Sequence, residues 1–108
     1  MSEFINLTPH AINICDHDGK TLRVIEPSGS VARISVETTP VGIIDGIQIT
    51  KNVYSDIVGL PKPKAGLYYI VSSLVAQQVP NRDDVLITND AVRDDKGRII
   101  GCMSLARI

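Results

Sequence analysis

The sequence predicts an all-β, mainly antiparallel fold: a small β-barrel or β-sandwich with one short helix after the strand at Leu67–Val71. Three observations carry that reading. Apolar residues recur with a period of two in short runs rich in Val, Ile and Thr, the alternation of half-buried strands. Gly, Pro and Asp punctuate the runs at the spacing of sandwich and barrel turns, which allows about eight short strands. Only the stretch between Ser72 and Pro80 has the length and start signal of a helical turn.

Taken in order, Phe4–Leu7 and Ala11–Cys15 read as strands with a Thr8-Pro9-His10 kink between them. Asp16-His17-Asp18-Gly19 then closes a hairpin into Thr21–Ile25, because glycine supplies the positive φ such turns need. Pro27-Ser28-Gly29 reverses the chain again. Val31–Val36 alternates, with Val31, Arg33 and Ser35 on one face and Ala32, Ile34 and Val36 on the other. The strongest hairpin signal is Asp45-Gly46, set between Val41–Ile44 and Ile47–Thr50, a dipeptide suited to a type I′ turn. Tyr54–Ala65 contains Gly59-Leu60-Pro61-Lys62-Pro63 and is expected to cross the surface as a stiff extended loop.

Leu67–Val71 is the most hydrophobic strand and is expected to be central. Ser72 or Ser73 can cap a helical turn over Leu74–Val79, which Pro80 stops. Val85–Thr88, Ala91–Arg93 and Arg98–Leu105 complete the sheet around the turn Asp94-Asp95-Lys96-Gly97. With 108 residues, 44% of them hydrophobic, the chain is expected to form a single β-rich domain over 1–108 with one packed core.

Charge narrows the partners. Lys and Arg number 11 against 12 acids, a formal charge of −1, so no positive field exists to hold a nucleic-acid polymer by counterion release. Residues 55–108 hold seven basic and six acidic side chains, against four and six in 1–54, which makes the second half the better place for an anionic ligand. No apolar run approaches the ~20 residues that span a bilayer. No leader-like segment precedes Phe4, and Cys15 and Cys102 stand far apart in sequence, so the expectation is a cytoplasmic protein with free thiols and no membrane partner.

The chemistry-bearing residues are few. No metal-ligand spacing occurs, no Gly-rich phosphate loop opens a helix, and no cofactor motif is present. His10, braced by Pro9 and near Thr8 and Asn13, could act only with a partner at hydrogen-bond range. Cys15 and Cys102 lie in strand patterns and read as small hydrophobes rather than nucleophiles. Adjacent carboxylates in extended chain point to opposite faces, so of the acids only Asp84 and Asp90 keep a role in a site. What remains is Ser72, Ser73, Asn81, Arg82, Asn89 and Arg93, with Arg33 from another strand and Tyr54 or Tyr69 for stacking. Hydroxyl, amide and guanidinium groups recognise phosphates and riboses without proton chemistry.

Several motifs resemble those of small proteins from tailed bacteriophages and prophages: Asn6-Leu7-Thr8-Pro9-His10-x-Ile12-Asn13, Pro27-Ser28-Gly29-x-Val31-Ala32-Arg33 and Gly59-Leu60-Pro61-x-Pro63 in the first part of the chain. Tyr69-Ile70-Val71-Ser72-x-Leu74-Val75-Ala76, Pro80-x-Arg82-x-Asp84-Val85 and Arg93-Asp94-x-x-Gly97-Arg98-Ile99-Ile100-Gly101 continue it to the end. The resemblance implies a phage or prophage setting in a bacterial cytoplasm and carries over no catalytic residues. In size and setting the chain is also similar to phage anti-defence sponges, small oligomeric proteins that sequester cyclic nucleotide or cyclic ADP-ribose signals. Fold or setting alone does not establish function.

Three functions follow as expectations. The first is a non-enzymatic homo-oligomer that binds a small anionic metabolite or nucleotide through Arg82, Arg93, Ser72, Arg33, Asn81, Tyr69 and His10. The second is a minor virion component or host-protein inhibitor that docks through a sheet edge or the Pro-rich loop. The third is a small hydrolase using His10 with Asp84.

Overall fold

The computed structural model describes residues 2–108. Eight strands and one short helix follow one another as β1 (Glu3–Asn6), β2 (Ile12–Cys15), β3 (Thr21–Ile25), β4 (Val36–Ile44), β5 (Ile47–Tyr54), β6 (Leu67–Ile70), α1 (Ser73–Gln77), β7 (Val85–Arg93) and β8 (Ile99–Ala106). The all-β expectation holds, with the single helix where Ser72 and Pro80 set it.

Six strands form one sheet in the order β1-β6-β7-β8-β2-β3, and β4 and β5 pair only with each other. The ladders β2–β3, β7–β8 and β4–β5 are antiparallel, and the last two are the longest. The pairs β1–β6, β6–β7 and β2–β8 are parallel. Parallel neighbours need long connections, and the chain supplies them through the segment holding the β4–β5 hairpin and through α1. The two outer strands meet: Asn6 bridges Pro27, and Ser28 N donates to Asn6 O at 3.0 Å. The sheet therefore curls toward closure at one end, and an edge is tied up that would otherwise be open to pairing.

Alternation along β6 splits the core into two clusters. Ile70 packs inside the curl with Ile12, Ile25 and Cys102, flanked by Phe4, Ile14 and Leu105. Tyr69 and Val71 point the other way, onto Leu7, Val75, Ala76, Val85 and Ala32. Its lower half-exposed end apart, β6 is thus covered on both faces, the environment of a central strand.

Asn6 is the one buried polar side chain among the described residues and it is fully occupied. Its Nδ2 donates to the carbonyls of His10 at 2.8 Å and Ile25 at 3.0 Å, and its Oδ1 accepts Thr8 N at 2.9 Å and the Thr8 hydroxyl at 2.6 Å. The Thr8-Pro9-His10 kink is thereby fixed against the β1–β3 seam. A buried amide at this place costs little because every one of its hydrogen bonds is met.

Turn chemistry behaves as the residues dictate. Asp45 and Gly46 both adopt positive φ, 52° and 78°, as a two-residue I′ turn requires, and Ile44 faces Ile47 across it. The Asp16 carboxylate accepts Asp18 N and Lys20 N, closing the β2–β3 turn. The Ser72 hydroxyl accepts Val75 N at 3.4 Å and caps α1.

Two strand boundaries differ from expectation. Val31–Ser35 forms no ladder: its alternation survives in a buried Ala32 and an exposed Arg33, but it is tied only at single points, by the Arg33–Val58 bridge, Ala32 N to Leu7 O at 3.0 Å and Ser55 N to Ser35 O at 2.9 Å. The strand ladder instead begins at Val36 and runs through Pro40, which is tolerated because both strands of an isolated hairpin are edges and Val41 bulges out beside it. Val85–Thr88 and Ala91–Arg93 join into one strand in which Asp90 absorbs a positive φ of 55°.

Candidate functional site

A cleft of about 650 Å3 opens where the ends of β1 and β6, the start of β2 and the middle of the β7–β8 ladder converge. Its volume falls in the range of ligand pockets, roughly 300–1,000 Å3. Ile12, Val71 and Cys102, all buried, contribute to its floor, with Ile87 beside them. Thr8, His10, Asn13, Ser72, Thr88, Asn89 and Asp90 supply its polar groups. Arginine and lysine are absent from this lining, and Asp90 is its one carboxylate.

Each polar group is set by a local cause. His10 stands at the kink that Asn6 and Thr8 hold, its carbonyl accepting from both. Ser72 is placed by its capping bond to Val75 N. Asn13 Nδ2 donates to Ile100 O at 3.0 Å across the parallel β2–β8 pair, while its Oδ1 is buried and has no hydrogen-bond partner in the protein. A buried amide oxygen left in that state is an acceptor waiting for a donor.

Asp90 holds the most distinctive geometry. Its φ of 55° falls inside a register that continues unshifted from Ile87 opposite Ala106 to Val92 opposite Gly101, and its Oδ2 accepts the Ser104 hydroxyl at 2.6 Å. Asp tolerates the left-handed region better than most residues, yet strain of this kind persists only where the surroundings enforce it.

Cys102 lies at the base of the cleft beside Cys15 on the neighbouring strand, and both thiols are free. Burial pushes the Cys102 thiol above its ordinary range, and a nearby Cys15 thiolate would push it further the same way. A thiol held protonated is a poor nucleophile. No group of three or more His, Cys, Asp or Glu side chains among the described residues is arranged to hold a metal ion. His10 forms no side-chain hydrogen bond to a hydroxyl, thiol or carboxylate among those residues, so a nucleophile–base pair is not assembled in this geometry.

Of the residues singled out from sequence, His10, Ser72, Ser73, Asn89 and Asp90 line this cleft, with Cys102 at its base. The arginines, Tyr54, Tyr69, Asn81 and Asp84 lie elsewhere. Arg82 forms a bidentate pair with Asp84, Nη2 to Oδ2 at 2.7 Å and Nε to Oδ1 at 3.1 Å, and its guanidinium sits 5.9 Å from the centre of the Tyr69 ring. Tyr69 is itself 3% exposed and packed in the second core cluster, so its faces are covered by protein. Arg93 Nη1 donates to Gly97 O at 2.7 Å and braces the β7–β8 turn. Arg33 and Asn81 are exposed on other parts of the surface, and Tyr54 ends the β4–β5 hairpin. Asp84 faces a shallow groove with Lys64 and Arg107, apart from His10.

Asn13 and Thr88 are the cleft residues that sequence reasoning passed over as site members. Asn13 carried a weak signal, an amide inside an apolar strand, a position that is expensive unless the amide is used.

No protein-family model, curated protein or solved structure matches this chain. No helix of the described residues is long and apolar enough to cross a membrane.

Proposed function

We propose that this chain is a non-enzymatic binding module of phage or prophage type, acting in the bacterial cytoplasm, that sequesters a small nucleoside-like molecule in the β1–β2–β6–β7–β8 cleft. The observation that carries the reading is the lining itself: an apolar floor under hydroxyl and amide groups, with one carboxylate and no Lys or Arg. An apolar floor takes the face of a planar ring, and the polar rim takes hydroxyl and amine groups.

The lining also selects within the nucleotide-like class. A phosphate is ordinarily held by guanidinium, ammonium or convergent backbone amides. Arg82 and Arg93 are engaged by Asp84 and by the Gly97 carbonyl, outside the cleft, and Asp90 would repel an anion placed beside it. The ligand that fits is uncharged or cationic. Sequestration rather than turnover is favoured by the lack of an assembled nucleophile and base.

Isothermal titration tests this directly, with nucleosides, amino-nucleosides, cyclic nucleotides and ADP-ribose derivatives as the panel. Uncharged or cationic nucleosides are expected to bind and to be recovered unmodified after heat release. Binding confined to the phosphorylated members would reverse the ligand assignment, and recovery of a cleaved product would replace sequestration by catalysis.

A further inference from the structure

The β4–β5 hairpin is an arm. Its strands pair with each other and make no sustained contact with any other strand or with α1, and all nine residues of β4 are exposed. Strands of this length reach about 30 Å at ~3.3 Å per residue. The molecule measures 51 × 39 × 23 Å with a radius of gyration of 17.0 Å, against about 13 Å for a compact chain of this size.

The end of the arm is apolar. Ile43, Ile44 and Ile47 are 73%, 65% and 66% exposed, Val41 is 59% exposed, and Asp45 is the only charge in 41–49. An isolated two-stranded hairpin is marginal in water, and a contiguous apolar tip on a polar stem marks an interaction site. The stem is polar in contrast, with Thr38, Thr39, Lys51 and Asn52 paired across it.

The same chain carries a surface for that tip. Ile12, Ile25 and Cys102 point into the core, so alternation turns Val24 and Met103 outward, and Leu22 joins them at 64% exposed beside 46% and 43%. At the margin of this outer face of β3, β2 and β8 stand Lys20, just before β3, which forms no ion pair among the described residues, and Arg98, just before β8, which is paired with Asp94 at 3.1 Å. Lys20 is the cation that the single negative charge of the tip, Asp45, complements.

We propose that the arm clasps a second copy of this chain, with the Ile43, Ile44 and Ile47 tip of each copy covering the Leu22, Val24 and Met103 face of the other in a two-fold exchange. A surface and its complement on one chain are both satisfied by such an isologous pairing. Each of the twelve side chains removes on the order of 60–120 Å2 from water, so two tips and the two faces they cover bury on the order of 700–1,400 Å2, whose upper part reaches the size of a stable interface. A formal charge of −1 per copy leaves little repulsion between them. This pairing is independent of what the cleft binds.

The test is the mass of the full chain in solution, by sedimentation and light scattering over a micromolar to submillimolar series. A particle of twice 11.7 kDa is expected. The double variant Ile44→Thr with Ile47→Thr, which keeps β-branched side chains opposite one another in the hairpin, should be monomeric with an unchanged far-ultraviolet spectrum, because the tip contributes nothing to the core; loss of the two apolar side chains weakens association by roughly tenfold or more. Met103→Glu should act in the same direction from the receiving face. Mixed Ile44→Cys and Leu22→Cys chains should join by a disulfide between the two different variants. A monomeric wild type, a dimer constant that moves less than twofold in the tip variant, or cross-linking only between two Ile44→Cys chains overturns the proposal.

Discussion

Asn6 Nδ2 donates to the Ile25 carbonyl at 3.0 Å, and that bond joins the two outer strands of the six-stranded sheet. The other end of the same amide receives Thr8 N and the Thr8 hydroxyl, so one side chain both closes the curl and shapes the kink that presents His10 to the cleft.

Replacing Asn6 should therefore cost stability and disturb the cleft together. Asn6→Ala takes the side-chain partner from the Ile25 carbonyl and the Thr8 backbone amide at a site 1% exposed and leaves the His10 carbonyl with the Thr8 hydroxyl alone, which corresponds to a loss of about 2–3 kcal/mol. Asn6→Asp turns a carboxylate oxygen onto the His10 and Ile25 carbonyls at the same buried site and should cost at least as much as Asn6→Ala at neutral pH. Urea unfolding checks both. A change below about 1 kcal/mol for Asn6→Ala would show that the seam contributes little.

Gly101 marks the tightest approach between β8 and β2. A Cβ there would stand 2.6 Å from Asn13 O and 2.6 Å from Cys15 Sγ. Gly101→Ala should destabilise by about 1–3 kcal/mol through overpacking. Its backbone φ is not in the left-handed region, so the cost is one of space. Combining it with Cys15→Ala should recover only part of the loss, since the Asn13 carbonyl cannot withdraw. Gly97→Ala is the contrast: nothing lies within 4 Å of its Cβ, and its cost comes from a φ of +80° alone, about 1 kcal/mol. Denaturation midpoints of the three variants separate the two mechanisms.

Arg82 and Asp84 form the best-defined ion pair, with side chains 21% and 16% exposed. The hydrogen bonds and charge of Arg82 hold the Asp84 carboxyl below its ordinary value near 3.8, against an opposing push from partial burial. Asp84 is then more acidic folded than unfolded. Its contribution is complete above the unfolded value and disappears as pH falls through the lower folded one. Stability curves of wild type and Asp84→Asn should differ by on the order of 1 kcal/mol at neutral pH and converge in acid below the carboxylate range. Curves that stay parallel down to the lowest pH at which the protein is folded would place the effect elsewhere than in the charge.

How far these features could be read from sequence depends on how local their causes are. The Asp45-Gly46 hairpin and the Ser72 cap were legible because turn and cap preferences act over a few residues. The alternation of Val31–Ser35 was legible too, as burial, but its ladder was not formed, because a strand needs a neighbour alongside it and its few backbone hydrogen bonds are divided between Leu7 on one side and Ser55 and Val58 on the other. Parallel pairing of β1 with β6 joins residues more than 60 positions apart, and nothing in either segment specifies the other's register. The binding residues divided on the same ground. Sequence places Arg82 among the ligand-binding candidates, but a carboxylate two residues away takes its Nε and Nη2 in a bidentate pair. Asn13 and Thr88 reach the cleft only through the sheet order, which places β2, β7 and β8 side by side.

Asp90 offers the sharpest separation of fold from function. Its positive φ favours Gly, Asn and Asp, so Asp90→Asn should retain both the backbone conformation and the acceptor for the Ser104 hydroxyl, and leave stability within about 0.5 kcal/mol of wild type. Asp90→Val imposes a β-branched side chain on a left-handed backbone and removes the acceptor, at a cost of about 1–3 kcal/mol. Asp90→Gly relaxes the backbone while losing the same hydrogen bond, and should fall between them. Binding divides the variants differently. Asp90 is the only formal negative charge lining the cleft, so Asp90→Asn should weaken a cationic nucleoside by several-fold while leaving an uncharged one nearly unchanged. Thermal unfolding and calorimetric titration of the same three proteins give both orders. Equal loss of affinity for charged and uncharged ligands in Asp90→Asn would mean that the carboxylate shapes the cleft instead of meeting the ligand.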